Sequence, residues 1–303
     1  MSRRITRRKV LAATAASFAA PGLARAAAPM LGAHAPAYRR FKIGDFEVTT
    51  LLAATMTRPD PHAIFGLNVG TKEFARVSAA ANLPTDRVQF FFTPTVVNTG
   101  AQLVLFDTGL GAAQITDVLG KAGYTPDQVD LVVITHMHPD HIGGLREGGT
   151  DTFANAAHAT GRVEFDAWAK MENAGFEEKV RPLADRMTMM EDGASAFAGH
   201  TAMAAFGHTP GHMVHLLESG GARLLLAVDF ANHPVWSLEH PDWEVKFDMD
   251  KAAAAATRRR LLDMLAAEKL PFVGYHMPWP GTGYAETAGD GYHYVPTSYQ
   301  LML

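Results

Sequence analysis

The chain contains no cysteine. That excludes disulfides, thiolate metal ligands, iron–sulfur clusters and a cysteine nucleophile, and leaves nitrogen and oxygen to hold any metal. An excess of one charge is also missing. The formal net charge is −4 over 303 residues, so nothing global favours nucleic acid or an anionic membrane as a partner. Low-complexity tracts and linkers are absent after the first residues. What remains is ordinary globular composition, 48% hydrophobic and 19% charged, in a chain long enough for one large domain or two small ones.

The first residues read differently from the rest. "SRRITRRKVLAATAASFAAPGLARAAAP" has a basic start, an apolar stretch from Val10 to about Ala20, and small residues at Ala24 and Ala26. This is the layout of a secretory signal with an A-x-A cleavage site, and its apolar stretch is too short to span a membrane. Arg7-Arg8 in "TRRKVLA", with Arg3-Arg4 as a second candidate pair, resembles a twin-arginine export signal. The expectation is a signal peptide over 1–26, recognised by the twin-arginine machinery and cleaved after Ala26. The mature domain of 27–303 would then be periplasmic or secreted, without a stable membrane anchor.

Strands and helices interleave along the rest of the chain, which predicts α/β layering. "YRRFKIGDFEVTTL" reads as two strands around Gly44-Asp45. Residues 56–90 lack strand periodicity apart from a helix in "TKEFARVSAAANL" capped by Thr71, so this segment is expected to be a surface lid or dimer contact. "FFFTPTVVNTGAQLVLFDTGLG" predicts a hairpin turning at Asn98-Thr99-Gly100. "ITDVLGKAGYTP" predicts a helix ended by Gly123, and "DLVVIT" a buried strand. "GRVEFDAWAKM" reads as strand then helix, and "TAMAAFGHTPGHMVHLLES" as two strands about a turn. "ARLLLAVDF" is a buried strand ending at Asp229. Residues 250–269 form the clearest helix, capped by Asp250, and "LPFVGYH" is a last strand ending at His276.

Potential metal ligands recur where these strands end. "VVIT" is followed by His136, His138, Asp140 and His141; "LLLAV" by Asp229; "FVGY" by His276; and "GHTPGH" places His212 after a Pro-Gly turn. Five imidazoles and two carboxylates suit two borderline divalent cations, Zn2+ first, with Mn, Fe and Co open. Alternate residues of an extended segment point the same way, so His136 and His138 can face one ion while Asp140-His141 points to a neighbouring position. Pro139 stiffens the loop, and Gly143-Gly144 permits close backbone passage.

The ordered set "HMHPDH", His212, Asp229 and His276 resembles the signature of metallo-β-lactamase-fold hydrolases. "DTG" at 107–109 and "GHTPGH" at 207–212 look like further landmarks, and the likeness covers about residues 38–299. "APAYRRFKIGDFEVTTL", "THMHPDHIGG" and "GDGYHYVP" look most like the methyl parathion hydrolase and lactonase branch. The resemblance implies a four-layer αββα sandwich. It implies that His136, His138 and His212 bind one metal, that Asp140, His141 and His276 bind the other, and that Asp229 bridges them. A hydroxide between the ions would be the nucleophile, with Asp140 orienting it or passing a proton to the leaving group. The substrate would be a small ester, lactone or phosphotriester. Some lactonases of the superfamily carry a tyrosine just after the bridging aspartate; here the segment is "DFANHP". A homodimer is plausible from the same likeness, through residues 56–92 with Phe90-Phe91-Phe92.

Trp168, Phe230, His233, Trp236 and Trp279 are candidates for an aromatic substrate wall. His208 reads as a turn or supporting residue and His215 as a core histidine. His34, His62, His158, His200, His240 and His293 have no partner at ligand spacing. Two other readings share the motif. A glyoxalase II-type thioester hydrolase would need a basic C-terminal cluster, and "YVPTSYQLML" is uncharged. A non-catalytic periplasmic metal-binding protein is the reading without chemistry. A nuclease would need a basic groove, and a flavin-dependent relative an additional domain.

Overall fold

The computed structural model describes residue 28 and residues 30–298. The expected signal peptide, with its cleavage after Ala26, lies outside the described residues. The chain divides into two units, 1–35 and 36–303, and the elements that follow belong to the second.

Strands β1 (Tyr38–Ile43) and β2 (Phe46–Leu51) form the expected hairpin. Gly44 has φ +54°, and a Cβ there would lie 2.1 Å from the Ser219 carbonyl oxygen, so only glycine fits the turn. The next segment departs from expectation. Strands β3 (Ala54–Pro59) and β4 (Arg87–Phe92) pair as a separate antiparallel ribbon, with α1 (Thr71–Ala80) between them in sequence. Gly70, not Thr71, occupies the cap position of α1, and no side chain caps it. Phe90 and Phe92 are buried on one side of the ribbon, so the triple phenylalanine belongs to the ribbon and not to the following hairpin.

The hairpin proper is β5 (Thr95–Asn98) and β6 (Leu103–Phe106), turning through Gly100 at φ +82°. Then come α2 (Ala112–Lys121), β7 (Leu131–Ile134), α3 (Pro139–Ile142) and two short strands, β8 (Arg146–Glu147) and β9 (Thr150–Asp151). Strand β10 (Ala157–Gly161) ends earlier than expected, and "RVEFDAW" is helix α4 (Arg162–Trp168). Helix α5 (Ala174–Lys179) and β11 (Met187–Met190) complete the first half. The second half runs β12 (His200–Ala204), β13 (Met213–Ser219), β14 (Ala222–Val228), α6 (Lys251–Glu268), β15 (Phe272–Gly274), β16 (Thr282–Ala288) and β17 (Gly291–Pro296). Asp250 caps α6, its carboxylate accepting from the Ala253 N–H at 3.0 Å.

Two sheets result, ordered β1-β2-β5-β6-β7-β10-β11 and β12-β13-β14-β15-β16-β17. The core lies in layers. Val48, Val97, Val104, Val133, Leu217, Leu224 and Leu226 pack between the sheets. Ile115, Val118 and Leu119 of α2, with Phe176 of α5, cover the outer face of the first sheet. Leu261, Leu262 and Leu265 of α6 cover the outer face of the second. Helix, sheet, sheet and helix stack as the αββα sandwich, each sheet buried on both faces. A further cluster of Phe65, Phe74, Phe90, Phe92, Trp236 and Trp243 fixes α1 and the β3–β4 ribbon beside the site.

Candidate metal centre

The C-terminal ends of β6, β7, β14 and β15 deliver the chemistry, where open α/β sheets commonly place it. Two of these exits use left-handed backbone: Asp107 after β6 has φ +60°, and Val228 at the end of β14 has φ +51°. For a β-branched residue that conformation is strained by roughly 1–3 kcal/mol. It coincides with a register shift in the β14–β15 ladder and turns the chain so that Asp229 faces inward.

Two groups of ligand-type side chains converge, the donor atoms of each lying within 4.8 Å of one another: His136, His138 and His208, and Asp140, His141, Asp229 and His276. In the first, His138 Nδ1 lies 3.2 Å from His136 Nε2 and 3.0 Å from His208 Nε2. In the second, Asp140 Oδ2 is 3.5 Å from His141 Nε2 and 3.3 Å from His276 Nε2. Asp229 Oδ2 joins the groups, at 3.1 Å from His276 Nε2, 3.5 Å from His141 Nε2 and 3.4 Å from His208 Nε2.

The expected ligand His212 stands beside the first group, its ring centroid 4.9 Å from that of His136. Its Nδ1 faces the Ala205 carbonyl oxygen at 3.1 Å, and its Nε2 accepts from the Asp229 N–H at 3.4 Å. The carbonyl contact is of the kind that aims a metal-ligating imidazole, and His208 adds a further imidazole on the same side of the site.

Four of the five converging imidazoles are aimed by their other nitrogen. His141 Nδ1 donates to Asp107 Oδ2 at 2.8 Å. His136 Nδ1 meets Thr135 Oγ1 at 3.1 Å, and that hydroxyl donates to Asp107 Oδ2 at 2.9 Å. His276 Nδ1 donates to the Phe91 carbonyl at 2.8 Å. His208 Nδ1 donates to Asp248 Oδ1 at 2.8 Å, and Asp248 Oδ2 accepts from Arg258 Nη2 at 2.8 Å. Arg258 is fully buried in α6 and also donates to the carbonyls of Phe230, Pro241 and Trp243.

Glu164 of α4, also fully buried, ties the two histidine loops together. Its Oε1 accepts from the Met137 N–H at 2.9 Å, and its Oε2 accepts from Thr209 Oγ1 and the Gly211 N–H, both at 2.8 Å. Gly143 and Gly144 do allow close passage, specifically past the 108–110 backbone. A Cβ on Gly143 would sit 2.4 Å from the Leu110 carbonyl oxygen, and one on Gly144 2.2 Å from that of Thr108.

The electrostatics differ between the groups. Burial pushes His138 down to about 3, and burial with neighbouring histidines pushes His136 well below its usual range, so both are neutral and ready to donate a lone pair. Burial opposes charge on Asp140 and Asp229. His141 and His276 outweigh it, holding Asp140 at about 2 and Asp229 well below the usual carboxylate range. His276 rises to about 10 against its burial, because Asp229 and Asp140 surround it.

The residues fit a pair of divalent cations. His141 Nε2 and Asp229 Oδ1 are buried without a hydrogen-bond partner. Such atoms cost about 1–3 kcal/mol each when left unpaired, and a cation between imidazoles and carboxylates satisfies both. The donor set is nitrogen and oxygen only, which suits Zn2+, Mn2+, Fe2+ or Co2+.

A cavity of about 240 Å³ opens over the two groups. Its floor is His138, Asp140, His208, Asp229 and His276, and its walls are Met56, Arg58, Phe90, Phe92, Leu110 and Phe247. The expected aromatic wall is not this one. Trp168 packs in the core behind His138, ring centroids 6.0 Å apart. Phe230 belongs to the core under α6. His233 stacks on Trp236 and lines a separate hollow with Phe91 on the far side of the ribbon. Trp279 is half-buried and lines neither space. Four of the six wall residues, Met56, Arg58, Phe90 and Phe92, come from the β3–β4 ribbon, whose alternation is short and is hidden in the sequence by "RPDP" and the polar residues between.

Comparison with known proteins agrees with this architecture. Residues 93–276 match the model of the metallo-beta-lactamase superfamily. An exodeoxyribonuclease, WalJ, of Streptococcus pneumoniae is 33% identical over 88 residues, 28% of this chain and 29% of that protein. An N-acyl homoserine lactonase of a Bacillus species is 27% identical over 165 residues, 54% of this chain and 62% of the lactonase. The chain thus spans less than two thirds of the length of each of these relatives. A solved structure of AidC, a dizinc quorum-quenching lactonase in complex with a product, superposes with a TM-score of 0.79 at 24% identity, covering 86% of this chain and 98% of that one. That likeness shows the fold. With 184 residues from Thr93 to His276 matched, and both ligand groups standing at the strand ends of an αββα sandwich, the chain belongs to the metallo-β-lactamase superfamily.

Proposed function

We propose that the protein is a dinuclear metal-dependent hydrolase of small esters or lactones, phosphotriesters being a related substrate class. The observation that carries this reading is Asp229 Oδ2 standing between a three-histidine group and a carboxylate-rich group on the floor of an apolar cavity. His136, His138 and His212, with His208 beside them, would hold one cation, Asp140, His141 and His276 the other, and Asp229 both. Two such cations, most simply Zn2+, supply water activation and stabilisation of developing oxyanion charge. The names of the lactonases matched above favour lactones.

The chain's own residues then do the rest. Met56, Phe90, Phe92 and Phe247 exclude bulk water and hold the apolar part of a substrate against the floor. Asp140 is the partly exposed carboxylate of its group, so it is placed to orient a water and to carry a proton toward the leaving oxygen. Two groups near it are already committed. The Tyr275 hydroxyl donates to the Asp140 carbonyl at 2.5 Å, and Asn232 Nδ2 donates to Asp229 Oδ2 at 3.3 Å.

The reading is tested with a panel of acyl-homoserine lactones, aryl esters, methyl parathion and S-lactoylglutathione, before and after chelation. Metal-dependent cleavage of lactones or aryl esters is expected. Cleavage of the thioester alone would favour the glyoxalase II-type reading, and no cleavage with metal fully bound would favour a binding protein. Export through residues 1–26 is part of the proposal, and a mature N-terminus at Ala27 is its expected result.

A further inference from the structure

Arg58 stands apart from every other arginine in the fold. Among the described residues, the side chains of Arg39, Arg40, Arg76, Arg87, Arg146, Arg162, Arg181, Arg186, Arg223, Arg258, Arg259 and Arg260 each have an ion-pair or hydrogen-bond partner. None is given to Arg58 by the described residues. Its side chain instead lines the cavity over the two ligand groups, and no lysine or other arginine lines it. Strand alternation accounts for the placement: Met56 and Arg58 are two residues apart on β3 and share the face of the ribbon that also presents Phe90 and Phe92.

An unpaired guanidinium on an otherwise apolar wall lacks only an anion. Arginine's planar fork matches a carboxylate with two parallel hydrogen bonds. Met56, Phe90 and Phe92 line the same cavity as an apolar surface, suited to an aliphatic or aryl spacer. We propose that Arg58 selects substrates that carry a carboxylate remote from the bond that is cleaved, such as a half-ester of a dicarboxylic acid or a lactone with a carboxylate-bearing side chain. The proposal rests on the hydrolase reading above and names its substrate class.

The test compares the 4-nitrophenyl half-ester of adipic acid with neutral 4-nitrophenyl hexanoate, which has the same acyl length, on metal-loaded wild type, Arg58→Leu and Arg58→Lys. A charge-assisted bidentate contact predicts that Arg58→Leu lowers the anionic-to-neutral ratio of kcat/KM by ~10-fold or more. The loss should appear mainly in KM, with the neutral ester within about twofold of wild type and Arg58→Lys between the two. Calorimetric binding of adipic acid monoanilide against hexananilide reads the same preference without turnover. A hydrolase that fails on both esters would therefore sink the functional reading while the anilides still decide the role of Arg58. An equal ratio in wild type and Arg58→Leu, by turnover or by binding, overturns the proposal.

Discussion

A neutral imidazole offers one lone pair, and whatever holds its other nitrogen decides where that lone pair points. His208 gives its Nδ1 hydrogen to Asp248 and His212 gives its own to the Ala205 carbonyl, so each keeps Nε2 free of those supports. The two histidines sit in one "GHTPGH" turn, and spacing alone does not separate them. Their supports differ, and that of His208 lies 40 residues away. His212→Ala should lower bound metal from about two toward about one per chain. His208→Ala should keep both metals and lose about 1–3 kcal/mol of stability, because the buried Asp248 carboxylate loses a donor. Metal analysis paired with urea unfolding checks both variants, and metal loss confined to His208→Ala would give His208 the ligand's place instead. Asp248→Ala strands the buried Arg258 charge, which costs about 3–5 kcal/mol; a midpoint close to wild type in urea would count against that pairing.

Among the elements, the strand-to-loop junctions were the most legible. The motif "HMHPDH", Asp229 and His276 announce themselves because each follows an apolar run directly, and the α6 helix shows its Asp250 cap and alanine-rich composition. Supports reaching across the fold left no local signal. Glu164 lies in a helix start that reads as polar surface, yet its carboxylate joins loops 27 and 47 residues distant. The β3–β4 ribbon was missed because its strands are separated by a helix and edged by proline, although its one face makes the cavity wall. Gly144→Ala tests how tightly the histidine loop is seated. The new methyl would meet the Thr108 carbonyl, overpacking that costs about 1–3 kcal/mol or more. The expected readout is a fall in Tm of several degrees together with weaker metal retention. An unchanged Tm would show that the loop has room.

At the scale of the whole molecule, the fold buries histidines that have no part in the centre. Burial pushes His158 and His200 down to about 4, and His215 well below its usual range. Unfolding exposes them near the ordinary value of about 6.5. The unfolded chain therefore binds more protons than the folded one below that pH. Their contribution to stability is fully present above about pH 6.5 and is lost as the pH falls toward 4. Each contributes at most about 1.4 kcal/mol per pH unit over that window. Urea midpoints should thus fall between pH 7 and pH 5 in metal-free protein, and His200→Gln should flatten the fall. A midpoint independent of pH over that range would contradict the assignment of buried neutral histidines.

The central claim is that seven side chains, His136, His138, His212, Asp140, His141, Asp229 and His276, hold two cations on which hydrolysis depends. The most direct measurement titrates Zn2+ into exhaustively chelated protein, following bound metal and hydrolysis of a lactone and an aryl ester together. The account predicts saturation at about two metals per chain with activity rising in parallel, and Asp229→Ala losing both metal and ~100-fold or more of the rate. Full hydrolysis in the chelated protein, or saturation with activity unchanged by Asp229→Ala, would contradict it.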